Sequence, residues 1–254
     1  MNILLMDIDS MLWQSGFCPK DDDPEGEGFV RDQETAFWKF EEGVHRVFNQ
    51  LEDTYQMPIH YFKMFCGGDN NFRKIVNPTY KANRTQSPPP MYEALKHHAI
   101  LEYNAFVSEG VEADDSVAAT WKLLSDSIDD AKVILCSMDK DFKQLPCYFF
   151  DYYHTRFDLH KISDHNAAYN FYTQMLMGDS VDNVKGIPKV GVKRAAKILG
   201  ATTPYGYFRK AYQQYVSHYG RKSREQWFIN KTMLKLHTHN VETPSFPEDF
   251  NQVG

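Results

Sequence analysis

The chain has few cysteines, little net charge and no long apolar run, and each shortage removes a class of protein. Its four cysteines, Cys18, Cys66, Cys136 and Cys147, include no CxxC pair, which argues against a zinc cluster or a dithiol redox centre. Cys66 and Cys136 fall in or beside apolar runs and read as core residues. The net charge of −6 disfavours a nonspecific basic coat, although a few local lysines and arginines suffice for phosphate contacts. No uninterrupted apolar stretch is long enough to span a membrane. The opening MNILLMDIDS has no basic lead and meets an acid at Asp7, so it does not read as a secretory signal. No internal repeat is present. The expectation is a soluble protein of the cytoplasm.

What is there folds. Apolar residues make up 42% of the 254 and aromatics 15%, enough to bury one large domain or two small ones. Short apolar runs at Asn2–Met6, Ile59–Phe65, Lys132–Ser137 and Tyr148–Tyr153 read as strands. Gln33–Tyr55 carries Phe37, Phe40, Val44, Val47, Phe48 and Leu51 at helical spacing, and Met91–Tyr103 and Asp114–Ser125 also read as helices. The breaker-rich Lys20–Gly28 (KDDDPEGEG) and Thr85–Pro90 (TQSPPP) read as loop and breaker. From about Asp164 the pattern is helical and more basic. The alternation predicts an α/β fold: a mostly parallel central sheet flanked by helices in residues 1–163, with a helical region in 164–254 packing on it.

In such sheets ligands bind beyond the carboxyl ends of the strands. Asp7, Asp69, Asp139 and Asp141 each come directly after an apolar strand candidate, so parallel strands would bring all four to one edge. The stretch Gly110–Trp121 (GVEADDSVAATW) adds Glu112, Asp114 and Asp115 at the start of a helix that points to the same edge. Acids there have two readings. They cap free N–H groups and meet the positive end of the helix dipole. Three crowded carboxylates also repel one another unless a cation sits among them. Repetition of the placement after three strands favours a metal site over capping alone. Oxygen ligands without clustered Cys or His point to Mg²⁺ or Mn²⁺, and the number of acids suits two ions about 4 Å apart, the arrangement used for phosphodiester hydrolysis.

A second acidic pair, Asp179 and Asp182, leads into KGIPKVGVKRAAKIL over Lys185–Leu199. Gly186 and Gly191 bracket a turn, and Lys193, Arg194 and Lys197 fall on the polar face of the helix that follows. Such a turn offers free N–H groups to phosphate; its plain alternative is an ordinary helical hairpin with a solvated basic face.

These residues carry a resemblance. LLMDID (Leu4–Asp9), FRKIVNPTYKANR (Phe72–Arg84), GVEADD (Gly110–Asp115), CSMDKDF (Cys136–Phe142) and MGDSVDNVKGIPKVGVKRAAKIL (Met177–Leu199) occur in the order found in the 5′-nuclease superfamily and span about four fifths of the chain. That superfamily includes bacteriophage 5′–3′ exonucleases, flap endonucleases and the 5′-nuclease domains of bacterial DNA polymerases; the chain looks most like exonucleases of short-tailed phages. The resemblance implies that Asp7, Asp69, Glu112, Asp114, Asp139 and Asp141 hold two Mg²⁺ or Mn²⁺ ions, that Asp115 joins them directly or through water, and that Asp179 and Asp182 complete the second ion's site. Lys81 and Arg84 would contact the scissile phosphate, and Arg73 and Lys74 would help bind phosphate. Tyr80 would stack on a terminal base or pack as an ordinary ring. A helix–hairpin–helix-type motif at about 177–199 would grip duplex DNA through Lys185, Lys189, Gly191, Lys193 and Arg194, and the carbonyls of Val184, Ile187 and Val190 would hold K⁺.

The chain departs from the pattern in three places. Cys66 falls where some relatives carry the acid, which puts Asp69 in doubt as a ligand. Asp9 has a counterpart only in some phage members and is assigned to the second shell. Only Thr85–Glu109 separates YKANR from GVEADD, which is short for an arch that threads a single strand. The expected activity is therefore Mg²⁺-dependent 5′–3′ exonuclease action on duplex DNA ends, nicks or flaps, or on RNA–DNA hybrids. The products would carry 5′-phosphate and 3′-hydroxyl ends. A flap endonuclease, a small RNase on a similar core and a DNA-structure-binding protein without catalysis are the alternatives. A monomer in the cytoplasm of a bacterial host, working beside replication proteins, would fit this reading.

Overall fold

Alternate residues of the first strand enter opposite cores, and this organises the molecule. In the computed structural model, which describes residues 1–17, 32–152 and 157–253, β1 is Asn2–Asp7. Ile3 and Leu5 face one apolar cluster while Leu4 and Met6 face another, and all four are fully buried. Only a strand covered on both faces needs apolar residues at both parities. The expected loop at Lys20–Gly28, together with Cys18 and Tyr153, lies outside the described residues.

The chain continues through α1 (Asp9–Phe17), α2 (Gln33–Asn49), β2 (Tyr61–Gly67), the single turn α3 (Phe72–Val76), α4 (Tyr92–Tyr103), β3 (Phe106–Ser108), α5 (Ala113–Ser127) and β4 (Lys132–Ser137). β5 (Tyr148–Asp151) and β6 (Asp158–Lys161) complete one side of the sheet. Then come α6 (Asp164–Met177), the two-residue strands β7 (Gly178–Asp179) and β8 (Val184–Lys185), α7 (Val192–Leu199), α8 (Pro204–Tyr219), α9 (Ser223–Leu234) and β9 (Asn251–Gln252).

The sheet runs β3-β2-β1-β4-β5-β6. β1 is parallel to both β2 and β4, β3 is parallel to β2, and β5 is parallel to β4; β6 and β9 pair antiparallel, with β5 and β2 respectively. The expected α/β fold with a mostly parallel sheet is therefore present. The chain leaves β1 towards β2 and later returns to β4 on its other side, so the strand order reverses between β1 and β4. That reversal opens a crevice at the carboxyl ends of the two strands.

α1, α2 and α4 cover one face through Leu12, Phe40, Val44, Leu95 and Ala99. α5 covers the other through Val117, Trp121 and Leu124. α6 to α9 build a third cluster around Met175, Leu199, Tyr207 and Tyr215, which also takes in Tyr80. Among the described residues no helix is long and apolar enough to cross a membrane.

Two differences from the sequence reading have physical causes. α1 was not expected, because its first turn is the Asp–Ser pair that otherwise signals a loop. The third strand, Phe106–Ser108, is three residues long, too short for an alternation to register. The helix, short hairpin and second helix of 164–199 follow in the expected order. The hairpin depends on two glycines. Gly178 adopts φ +73°, and a β-carbon there would lie 2.2 Å from the Gly186 nitrogen; one on Gly186 would lie 2.1 Å from the Met177 carbonyl carbon.

Candidate active site

Asp7 ends β1 and is 7% exposed. Its Oδ2 accepts the Ser137 hydroxyl at 3.0 Å, and its Oδ1 accepts the Asp9 N–H at 3.2 Å. Ser137 ends β4, and its oxygen in turn accepts the Asp139 N–H at 3.0 Å. One hydroxyl thus joins two strand ends across the crevice. Asp139 accepts the Asp141 N–H at 2.8 Å, and both Asp141 oxygens accept the Gln174 amide of α6 at 2.9 Å. Asp9, the first residue of α1, accepts the Gly67 N–H at 2.9 Å and the Tyr92 hydroxyl at 3.4 Å.

These four acids have hydrogen bonds but no ion pair among the described residues, and burial raises the pKa of each. Burial, aided by Asp9 and Asp139, pushes Asp7 up to about 8. Burial and then Asp139 push Asp141 up to about 7. Asp9 and Asp139 also move upward, burial being the largest cause.

The three acids of EADD meet three different fates. Glu112 accepts Lys81 at one oxygen and the Tyr80 hydroxyl at 2.7 Å at the other, where the Arg73 guanidinium also lies at 3.3 Å. Burial pushes its carboxyl up, but Lys81 and Arg73 outweigh it and the pKa is lowered. Asp114 is driven well above the ordinary carboxylate range by burial and by Asp115 and Glu112, and its buried Oδ1 has no hydrogen-bond partner. Asp115 is fully buried in a two-pronged pair with Arg73, and it also accepts the N–H groups of His237 at 2.8 Å and Glu112 at 3.4 Å. The last of these bonds is the capping role that the sequence left open.

On the helical side, Asp182 accepts Arg84 at 2.6 Å and the Tyr80 hydroxyl at 2.9 Å, with the Lys81 ammonium at 3.8 Å. Asp179 accepts Lys140 at 3.1 Å and the N–H groups of Val181 and Asp182. Burial raises its carboxyl, but Lys140 outweighs it and the pKa is lowered.

Two expectations need correction, and for Tyr80 the packed ring is the one of its two readings that holds. Arg73 is 2% exposed; besides Asp115 it donates to the Met233 and Lys235 carbonyls, so it is committed to the fold and presents nothing to a phosphate. Asp115 has its oxygens filled by the same pair and is not placed to ligate an ion. Tyr80 is 3% exposed in the third cluster, with its hydroxyl clamped between Glu112 and Asp182; it is a brace and not a stacking platform.

Asp69 stands apart from the other acids. It is exposed beyond β2, with its N–H on Glu109 and its carbonyl on Gly110. Lys74, Lys185, Lys189, Gly191, Lys193 and Arg194 are all exposed. Val184, Ile187 and Val190 are buried side chains, and the Ile187 carbonyl accepts the Val190 N–H at 3.2 Å. The sequence reading missed Ser137, Tyr92, Lys140 and Gln174. Ser137 had a legible signal, since it ends the strand that leads to Asp139.

An all-oxygen donor set, one orphaned buried carboxylate oxygen and several acids held above their ordinary range suit a hard divalent cation. Among the described residues, no three of the acids are gathered into a ready cage.

Comparison with known proteins gives a consistent pattern. Residues 3–174 match the family described as 5′-3′ exonuclease, N-terminal resolvase-like domain. DNA polymerase I of Treponema pallidum is 30% identical over 171 residues, which cover 61% of this chain but 17% of the polymerase. Flap endonuclease Xni of Aeromonas salmonicida is 31% identical over 155 residues, 56% of this chain and 57% of Xni. The chain thus matches less than a fifth of the polymerase and somewhat over half of Xni. Among solved structures, the bacteriophage T5 D15 protein co-crystallised with metal ions is similar over 94% of this chain and 91% of its own, with a TM-score of 0.63 at 19% identity. Flap endonuclease-1 from Methanococcus jannaschii is similar over 95% and 80%, with a TM-score of 0.53 at 13% identity. At these identities the likeness speaks to the fold.

Proposed function

The chain belongs to the 5′-3′ exonuclease family, and from that premise we propose that it is a metal-dependent nuclease that hydrolyses DNA phosphodiesters from the 5′ end. The observation that carries this reading is the crevice at β1 and β4. There Asp7 is buried, the more open Asp139 and Asp141 stand with it, none of the three has an ion pair among the described residues, and Asp114 at the start of α5 keeps a buried oxygen without a partner. Those acids, with Glu112, would hold two Mg²⁺ or Mn²⁺ ions, and Asp179 and Asp182 would complete the second site. Ions held there would lower the pKa of bound water and offset charge on the leaving oxygen.

The chain's own groups do the rest. Lys81 and Arg84 stand at the rim, half-buried and 52% exposed respectively, each held by a carboxylate. From there they would turn to the scissile phosphate and stabilise its developing charge. Tyr80 fixes the spacing of Glu112 and Asp182 by bonding both. Ser137 holds Asp7 and the Asp139 loop in register. The exposed Lys185, Lys189, Lys193 and Arg194, with the open N-terminus of α7 at Gly191, would take duplex phosphates away from the cut. K⁺ at the carbonyls of Val184, Ile187 and Val190 would stiffen that turn.

Exonuclease action is favoured over flap cleavage by α4, which lies flat on the core with Leu95 and Ala99 fully buried instead of rising as an arch. The test uses 5′-labelled duplex, nicked duplex and 5′-flap DNA with Mg²⁺, EDTA controls and the Asp139→Asn variant. Mononucleotides or short oligomers from the 5′ end, lost with EDTA and in the variant, are expected. Dominant cutting at the flap junction would replace the exonuclease with a flap endonuclease. Binding of all three substrates without cleavage would leave only a DNA-structure-binding protein.

A further inference from the structure

α8 and α9 bury one face each and leave aromatic rings on another. Tyr207, Ala211 and Tyr215 of α8 and Asn230, Met233 and Leu234 of α9 are buried. On the outer side of α8, Tyr205, Phe208, Tyr212 and Val216 recur at i, i+3, i+7 and i+11 and form a stripe. α9 presents Arg224, Trp227, Phe228 and Lys231 at i, i+3, i+4 and i+7. Trp227 ties these rings to the third cluster, but Tyr205 and Phe228 stand clear of it, each 68% exposed. Large rings left in water side by side mark a binding surface.

The rings join into one ridge. Tyr205 and Phe208 have centroids 6.0 Å apart, Phe208 and Tyr212 stack at 5.9 Å, and Trp227 meets Phe208 and Tyr212 edge to face at 5.6 and 5.2 Å. A groove of about 570 Å³ follows the α8 stripe past Phe208, Arg209 and Tyr212, and one of about 330 Å³ passes Phe228, Lys231 and Lys235 on α9. The charge around the ridge has one sign. From residue 204 to 234 the single acid is Glu225, against Arg209, Lys210, Arg221, Lys222, Arg224 and Lys231, in a chain whose net charge is −6. Lys210 is held on the Leu199 carbonyl at 2.5 Å, whereas Arg209, Arg224 and Lys231 are exposed. Rings interleaved with cations suit a flexible polyanion that carries flat bases: the bases stack and the phosphates meet the cations. A duplex hides its base faces, so the rings select a single strand. An apolar partner would call for an unbroken patch, and here cations interrupt it.

We propose that the α8–α9 ridge is a second nucleic-acid site, which binds single-stranded DNA without regard to sequence and is separate from the acids of the crevice and from the hairpin at 178–191. On the nuclease reading above, the strand it takes is the one left unpaired as its complement is removed from the 5′ end. The end of α9 is tied to the crevice, because the carbonyls of Met233 and Lys235 hold Arg73, the partner of Asp115. At about 1.5 Å per residue, Phe228 lies roughly 10 Å along the helix from Lys235. The ridge is therefore within reach of an unpaired strand that emerges from the cut duplex, and holding that strand keeps the protein on its substrate between cuts.

The experiment follows the fluorescence anisotropy of labelled oligothymidylate and of a labelled blunt duplex, each titrated with the full chain in EDTA so that nothing is cut. Tyr205→Ala and Phe228→Ala each remove an exposed ring without opening a cavity. Each should weaken oligothymidylate binding about tenfold, the loss of one stacked base, and leave duplex binding unchanged. Tyr205→Phe keeps the ring and should stay near wild type. Arg224→Gln should lower the salt dependence of oligothymidylate binding by one phosphate contact, a change of about 0.7 in the log–log slope. No binding of oligothymidylate by wild type, unchanged affinity in both alanine variants, or an equal loss on the duplex would overturn the assignment. Tight binding of an acidic glutamate–tyrosine copolymer with none of oligothymidylate would overturn it in favour of a protein-docking face. If the ring variants lose oligothymidylate as expected but wild type cuts no DNA in Mg²⁺, the nuclease reading falls and the single-strand site stands.

Discussion

Glu112 and Asp182 face Lys81, Arg84 and the Tyr80 hydroxyl, whereas Asp7, Asp9, Asp139 and Asp141 face hydroxyls, amides and one another. Both groups line the same end of one sheet. The first carries its own cations, and Glu112 is held below the ordinary carboxylate range. Among the described residues the second has none within ion-pair reach, and its members are held above that range. Within EADD the contrast falls between neighbours, with Glu112 compensated and Asp114 not. Carboxylates crowded together without a cation are unfavourable as anions, so four of them at one end of a sheet leave room for positive charge from outside. The compensated group shapes the site before any ligand arrives; in the reading proposed above, the uncompensated group would receive one.

Removing a receiver should have the largest effect. Asp139→Asn is expected to reduce DNA cleavage about a thousandfold or more while leaving the fold intact, checked by single-turnover assays beside circular dichroism. Next comes the clamp behind the compensated group. Arg73→Ala leaves Asp115 buried and unpaired, and urea unfolding should show a loss of about 3–5 kcal/mol. Lys81→Ala makes Glu112 resemble the uncompensated acids and removes the proposed phosphate contact; a loss of about 10²–10³ in kcat at unchanged far-UV spectrum is expected.

The smallest effect separates the groups by sign. Asp7, near 8 in the fold against about 3.9 in an unfolded chain, favours the folded state fully below pH 4 and loses that contribution as pH rises through 8. Asp141, near 7, acts over most of the same window. Glu112 is lowered, so its contribution is present above about pH 4.3 and is lost as pH falls. EDTA-treated protein should therefore melt several degrees lower at pH 8 than at pH 5.5, Mg²⁺ should erase the difference, and Asp7→Asn should flatten it. Equal melting temperatures without metal would break the comparison.

How much of this could be read beforehand depended on distance along the chain. β1 and β4 were legible because strands covered on both faces are apolar at every position, and Asp7 and Asp139 were legible because each directly follows one. Asp9 was assigned to the second shell, and nothing local reports that it reaches the Gly67 N–H at the end of the neighbouring strand β2. The EADD acids looked equivalent. What separates them comes from Lys81, 31 residues upstream of Glu112, and from Arg73, 42 residues upstream of Asp115. Tyr80 stayed open between stacking and packing for the same reason: nothing beside Lys81 reports that the third cluster closes over its ring.

The Arg73–Asp115 pair has a further consequence, in time. Its remaining bonds run to the carbonyls of Met233 and Lys235 and the N–H of His237. A ribosome builds the chain from the other end, so Asp115 emerges 122 residues before the His237 amide that completes its setting. Until then the start of α5 lacks its final support, even though every acid of the crevice up to Asp182 is already made.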